Sequence, residues 1–217
     1  MEASRTKAGG AAGDANGRPR RTQEERSAET RGRLLEATIE SLIEAGYAGT
    51  TTRRVTELAG VSQGAQAHHF PHRVDLVASA FEHLAEQRME RYRARAEELP
   101  ADRRARLRGM LDLLWDDFSS PLFEVAAKLW VAAADDPELR ERLVPVERRI
   151  YANVAEVAGE VAGEIADEPG FERHLTVAMN TVAGLGMMRA FDPQGRGGRN
   201  AQWEYHREAL ERMFEGG

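Results

Sequence analysis

From Arg31 almost to the carboxyl end of this 217-residue chain, apolar side chains return every three or four residues. That spacing lays a single stripe along a helix. Leu34, Leu35, Thr38, Ile39, Leu42 and Ile43 form the first stripe, with Gly46 behind it as the expected cap. No stretch shows the two-residue alternation of a strand, and no segment repeats. The fold class is therefore all-α.

The helix breakers divide this pattern. A short second helix is expected from about Thr52 to Ala59, with Thr51 placed to cap it, and Gly60-Val61-Ser62 then turns the chain. A third helix starts near Gln63 behind Ser62 and must stop near Phe70, because Pro71 has no N–H to continue it. A long fourth helix carries Leu76, Val77, Ala80, Phe81, Leu84 and Tyr92 and ends before Pro100. Two further stripes run from Leu107 to Phe118 and from Leu122 to Ala133. A third runs from Leu139 to Ile165, and Pro145 is expected to kink or split it. The last two helices are predicted over Phe171–Arg189 and Asn200–Phe214, with the glycine-rich Asp192–Gly198 as their loop.

Composition removes several function classes. There is no cysteine, which excludes disulfides, thiolate metal sites and a cysteine nucleophile. The 41% apolar and 30% charged residues are typical of a soluble globular protein. The longest uncharged apolar run, Leu175 to Met188, falls short of the roughly 20 residues of a spanning helix. No secretory signal is visible, so the expectation is a cytoplasmic protein without a membrane partner.

The net charge of −6 is uneven. Residues 1–73 hold 11 Lys/Arg against 9 Asp/Glu and are the only part suited to a polyanion; residues 74–217 are strongly acidic. Residues 1–27 carry almost no large apolar side chain and read as a disordered tail. Within them, Arg18-Pro19-Arg20-Arg21 reads equally as a minor-groove arm or as a solubilising segment. The division that follows is a tail at 1–27, a three-helix unit at 28–74 and a larger helical bundle at 75–217.

The segment from Thr50 to Arg73, TTTRRVTELAGVSQGAQAHHFPHR, carries the functional signal. Two short helices joined by a three-residue turn with glycine at its start make a helix-turn-helix, with Val55, Leu58 and Val61 placed to hold it together. The second helix of such a unit can enter the major groove, its N-terminal amides and small polar side chains facing phosphates and base edges.

Gly46-Tyr47, Thr51-Thr52, Ala59-Gly60-Val61-Ser62, Gly64, His69-Phe70-Pro71, Arg73 and Asp75-Leu76 follow one another in the order and spacing of a known signature. Across this amino-terminal stretch the chain resembles the TetR (tetracycline repressor) family of transcriptional regulators. The resemblance implies roles for named positions. Thr52, beside Thr51, contacts phosphate, and Arg53 reaches a base edge, where arginine can pair with guanine. Ser62, Gln63, Gly64, Ala65 and Gln66 present the recognition helix; glutamine can read adenine, and the small residues admit the backbone to the groove. His69 contacts the DNA backbone and Arg73 grips phosphate. Two positions depart from the family pattern. Ala67 replaces a phosphate-contacting tyrosine, for which His68 can substitute, and Thr56 replaces a small alanine and needs a partner for its hydroxyl.

In the carboxyl-terminal helices, Trp115, Phe118, Phe123, Trp130, Met187 and Met188 suggest an apolar pocket, with His174 and Asn180 as its polar anchors. They read one by one as ordinary core, and together as a site for an apolar or amphipathic effector. Ala178, Ala183, Gly184 and Gly186, with Trp203, Leu210 and Phe214, suggest the two-fold four-helix interface that the resemblance implies; tight packing within one subunit is the other reading.

His68 and His72 stand four apart with His69 between them, but Pro71 breaks the helix that would put them on one face and no acidic ligand sits nearby, so no metal is expected, and no cofactor motif is present. The sequence therefore predicts a homodimeric regulator that binds a palindromic operator in double-stranded DNA and is relieved by a small molecule. The rival readings are a related scaffold that acts by protein contact and a small all-α enzyme.

Overall fold

The computed structural model describes residues 22–191 and 199–216. Among them the chain forms α1 (Gln23–Gly49), α2 (Thr52–Ala59), α3 (Gln63–His69), α4 (Arg73–Ala96), α5 (Arg103–Phe118), α6 (Pro121–Asp135), α7 (Pro137–Ala162), α8 (Phe171–Phe191) and α9 (Arg199–Glu215). A 3-10 turn, Gly163–Asp167, follows α7. The described residues include no strand.

Helix starts are chemically marked. The Asp102 carboxylate accepts from Ala105 N at 2.9 Å to open α5, the Ser120 hydroxyl accepts from Phe123 N at 3.2 Å to open α6, and Asp136 accepts from Leu139 N at 3.0 Å to open α7. Pro121 and Pro137 sit in the first turns behind them, where the missing N–H removes nothing.

Several boundaries differ from the sequence expectation, among them the end of α1, which runs to Gly49 across a non-helical Gly46. Helix α1 begins at Gln23, so the last five residues of the stretch read as disordered are helical. The cause is a capping box: Glu25 N donates to the Thr22 hydroxyl at 3.1 Å, and Thr22 N donates back to Glu25 Oε2 at 2.8 Å. Helix α7 runs through Pro145 and is not split. It stops at Gly163, whose φ of 59° ends the helix before Ile165. The basic cluster at 18–21 and the loop at 192–198 lie outside the described residues.

Three connected cores hold the molecule. Leu34, Leu35, Val55, Phe70, Leu76 and Leu84 close the amino-terminal unit. Leu42, Val77, Phe81, Leu129, Leu139 and Leu143 join α1, α4, α6 and α7. Met110, Leu114, Val157, Met179, Val182 and Leu210 fill the carboxyl-terminal bundle, which Met89 and Tyr92 of α4 also enter. Helix α4 thus contributes to all three. Each fully buried leucine contributes roughly 1.5–3 kcal/mol relative to exposure, so α4 cannot tilt without disturbing the unit that carries α2 and α3.

Candidate nucleic-acid interface

The α2–α3 pair is fixed at both ends of its turn. The Thr51 hydroxyl accepts from Arg54 N at 3.1 Å and the Ser62 hydroxyl from Ala65 N at 3.1 Å, so both side chains serve as helix caps. Between the helices, Gly60 adopts φ 62°, ψ 38°, a left-handed conformation that a Cβ would strain. Val61 N then returns to Thr56 O at 3.1 Å. Val55 is fully buried beneath the pair, whereas Leu58 is 40% exposed and contributes less to it than its spacing suggests.

On α3, Gln63, Gly64, Ala67 and His68 are exposed. Their spacing puts them on one face of the helix. Ala65 and His69 are half-buried. Gln66 does not join the exposed face. It is buried, and its Nε2 donates to Phe70 O at 2.5 Å. Because the chain turns at Pro71, that carbonyl has lost its helical donor, and the glutamine amide supplies one. The assignment of Gln66 as a base reader is therefore corrected: it holds α3 in shape.

On α2, Thr52 is half-buried and Arg53 exposed. Arg53 Nε lies 2.9 Å from Glu57 Oε1. Both partners are well solvated, so the pair holds only weakly and leaves the guanidinium able to turn away. Arg54 instead donates to Glu44 Oε2 at 2.5 Å, which ties α2 to α1. The Thr56 hydroxyl finds its partner in Arg53 O at 2.8 Å, so this departure from the family pattern is accommodated inside the helix.

Arg73 is committed differently from expectation. Its Nη1 donates to Tyr47 O at 2.9 Å and Thr50 O at 3.2 Å, and its guanidinium carbon stands 4.0 Å from the Tyr47 ring centre. It clamps the end of α1 to the start of α4, and only its remaining donors are open to a phosphate. His69 is held below the ordinary histidine range by burial, and further by His68 and Arg31. Arg31, not anticipated as a site residue, lies 5.4 Å over Phe70 beside α3.

The carboxyl-terminal candidates separate into two groups. Trp115 stacks on Trp203 at 5.2 Å, Phe118 meets Phe123 at 5.0 Å, and Phe123 meets Trp130 edge-on at 5.5 Å. These rings, with Met187, pack with one core. His174 lies edge-on to Phe214 at 5.2 Å. Asn180 and Met188, expected inside the pocket, are exposed on α8. Two clefts of about 560 Å³ and 310 Å³ lie elsewhere, and none of the predicted pocket residues lines either.

The predicted interface residues also divide. Ala178, Trp203, Leu210 and Phe214 are buried within the subunit. Trp203 Nε1 donates to Asp112 at 2.7 Å, and Arg108 holds the buried Glu211 at 2.7 Å, so α9 is locked to α5. At Gly186 a Cβ would run into Phe118 O and the Phe123 ring, which makes it a close approach within the chain. Ala183 packs against the same core. Only Gly184 faces outward, on a stripe with Val177, Asn180, Met188 and Phe191. Tyr205 of α9 is likewise 69% exposed. The spacing of 177, 184, 188 and 191 was a readable signal for this face.

Residues 34–80 match the family model described as bacterial regulatory proteins, tetR family. The HTH-type transcriptional regulator CymR of Pseudomonas putida is 35% identical over 89% of this chain and 90% of its own. An uncharacterized HTH-type transcriptional regulator of Mycobacterium bovis, Mb2936c, is 34% identical over 80% of this chain and 89% of its own. Among solved structures, a transcriptional regulator from Pseudomonas aeruginosa PAO1 superposes with a TM-score of 0.69 at 23% identity, covering 90% of this chain and 97% of that one.

Proposed function

This chain belongs to the tetR family of bacterial regulatory proteins and is a DNA-binding transcriptional regulator; on that premise we propose that it is a dimeric repressor, not an enzyme, released from a palindromic operator by a small molecule. The observation that carries the reading is the capped α3 with its exposed face of Gln63, Gly64, Ala67 and His68. Such a face fits a major groove, with Gln63 and Arg53 reaching base edges and Thr52, His68 and the spare donors of Arg73 meeting phosphates.

Two copies joined through the outward stripe of α8 and the face of α9 bearing Tyr205 would hold their recognition helices about 34–36 Å apart, one turn of DNA. The repressor acts in the cytoplasm, where it meets its operator. An effector that prefers one tilt of α4 changes that separation, and it acts only through its unequal affinity for the two conformers. A coupling of about 1–3 kcal/mol would lower operator affinity roughly 5–150-fold.

Footprinting the full-length protein on the DNA flanking its own gene tests this reading. The expected result is a two-fold symmetric footprint with half-sites one helical turn apart and a steep salt dependence. Absent or salt-insensitive binding overturns it and favours action by protein contact. A reporter downstream of that site should fall when the protein is present; a rise makes it an activator.

A further inference from the structure

We propose that the cleft between α1, α4 and the α5–α6 junction is a binding site for a small amphipathic anion, with Arg91 as its charged anchor. The cleft has a volume of about 560 Å³, within the usual range of roughly 300–1,000 Å³ for small-molecule sites. Ile39, Leu84, Leu113 and Leu122 give it an apolar wall. It is separate from the aromatic cluster that the sequence suggested.

The anion follows from which polar groups along the walls are already satisfied. Glu36 Oε1 accepts from Gln87 Nε2 at 2.8 Å and lies 3.0 Å from His83 Nε2. Asp117 accepts from Arg88 Nε at 2.7 Å, and Asp116 accepts from Arg95 Nη2 at 2.8 Å. Every carboxylate lining the cleft is thus engaged, as are two of its three arginines.

Of the polar side chains lining the cleft, two make no hydrogen bond or ion pair among the described residues, and both can donate. Arg91 is exposed and makes no hydrogen bond or ion pair among the described residues. Tyr92 is among the residues that line the cleft, and its hydroxyl is buried without a partner. Burial raises that phenol well above its ordinary range, so it stays protonated and can only gain from an acceptor. Unused donors beside an apolar wall select a carboxylate or similar anion on a compact hydrocarbon body.

The occupant would touch two bodies at once, since Glu36 and Ile39 belong to α1 and the other walls to α4, α5 and the start of α6. The proposal goes beyond the regulator reading and its test needs no DNA, so failure of either leaves the other standing.

Calorimetry on the full-length protein with sodium octanoate, octylammonium chloride and 1-octanol decides it. Octanoate should bind with a Kd below about 1 mM and the cation should not bind. Arg91→Gln, at an exposed position, should weaken octanoate at least about tenfold while Arg91→Lys restores part of the affinity. Tyr92→Phe keeps the ring and should also weaken it, with unchanged circular dichroism in every variant. No heat up to about 5 mM octanoate, equal binding of the cation, or affinity unmoved by both Arg91→Gln and Tyr92→Phe overturns the site.

Discussion

The Tyr47 hydroxyl donates to Asp136 Oδ2 at 3.0 Å, while Asp136 Oδ1 accepts from Leu139 N at 3.0 Å. One carboxylate therefore joins the end of α1 to the first turn of α7. With Arg73 seated on the Tyr47 ring and on the carbonyls of Tyr47 and Thr50, the ends of α1, α4 and α7 meet at a single node. Movement of the carboxyl-terminal helices can reach the DNA-binding unit through this node as well as through α4.

The node has a pH signature. Asp136 is held below the ordinary carboxylate range, chiefly by the Leu139 N–H and next by the Tyr47 hydroxyl. A group depressed in the folded state contributes stability above its unfolded value, about 3.9, and loses it as pH falls through the folded value. Tyr47→Phe removes one of those donors and keeps the ring for Arg73. Urea midpoints should place the variant below the parent by a constant gap above roughly pH 5, narrowing as the pH drops below about 4. A gap that widens in acid would show that the hydroxyl is not supporting the carboxylate.

Arg73 separates a clamp from a phosphate contact. Charge-assisted hydrogen bonds contribute about 1.5–3 kcal/mol each way they are counted, so Arg73→Ala should lower the unfolding free energy by that order. It should also weaken binding to all DNA sequences alike and reduce the salt slope by about one unit. Arg73→Lys keeps the charge and loses the fork, so stability should fall while the salt slope stays. An unchanged urea midpoint for Arg73→Ala would remove the clamp.

Positions 53, 63 and 66 should split by outcome. Arg53 and Gln63 are exposed, so Arg53→Ala and Gln63→Ala should each relax preference at one operator position, by about 1–3 kcal/mol, and leave stability unchanged. Gln66→Ala strands the Phe70 carbonyl and should cost about 1–3 kcal/mol of stability with no change in base preference. A selection over randomised half-sites, read beside thermal melts, distinguishes the three. Altered base preference with Gln66→Ala would return it to the reading face.

These contrasts show how far the sequence reaches. Periodicity and helix breakers located the helices because both are local, and the Thr51, Gly60 and Ser62 signals fixed the α2–α3 turn for the same reason. The early start of α1 was also legible, since Thr22-x-x-Glu25 is a capping-box pattern. What escaped was the identity of the cover over an apolar face. Trp203, Leu210 and Phe214 mark α9 as one-sided, but the spacing cannot say whether its partner is α5 of the same chain or a helix of another. The pairing of Glu211 with Arg108, 103 residues away, decides that, and no local pattern encodes it. Gln66 escaped likewise, because its partner exists only once the chain has turned at Pro71.

The same distinction between α9 and the outward face of α8 is open to experiment. If α9 is anchored inside its own subunit, truncating Trp203 should damage the fold before it affects association. Trp203→Ala removes a buried indole stacked on Trp115 and hydrogen-bonded to Asp112, and should cost about 3–5 kcal/mol. The outward stripe should behave in the opposite way. Phe191 is 87% exposed and Met188 63%, so Met188→Asp with Phe191→Asp disturbs no interior contact while placing two charges where a second copy would lie. That variant should keep its helical signal and melting temperature at low concentration and sediment as a monomer. It should also lose operator affinity, since a single recognition helix forfeits the second half-site. A charged variant that still sediments as a dimer would move the interface off this face of α8, and the 34–36 Å spacing of the recognition helices would need another origin.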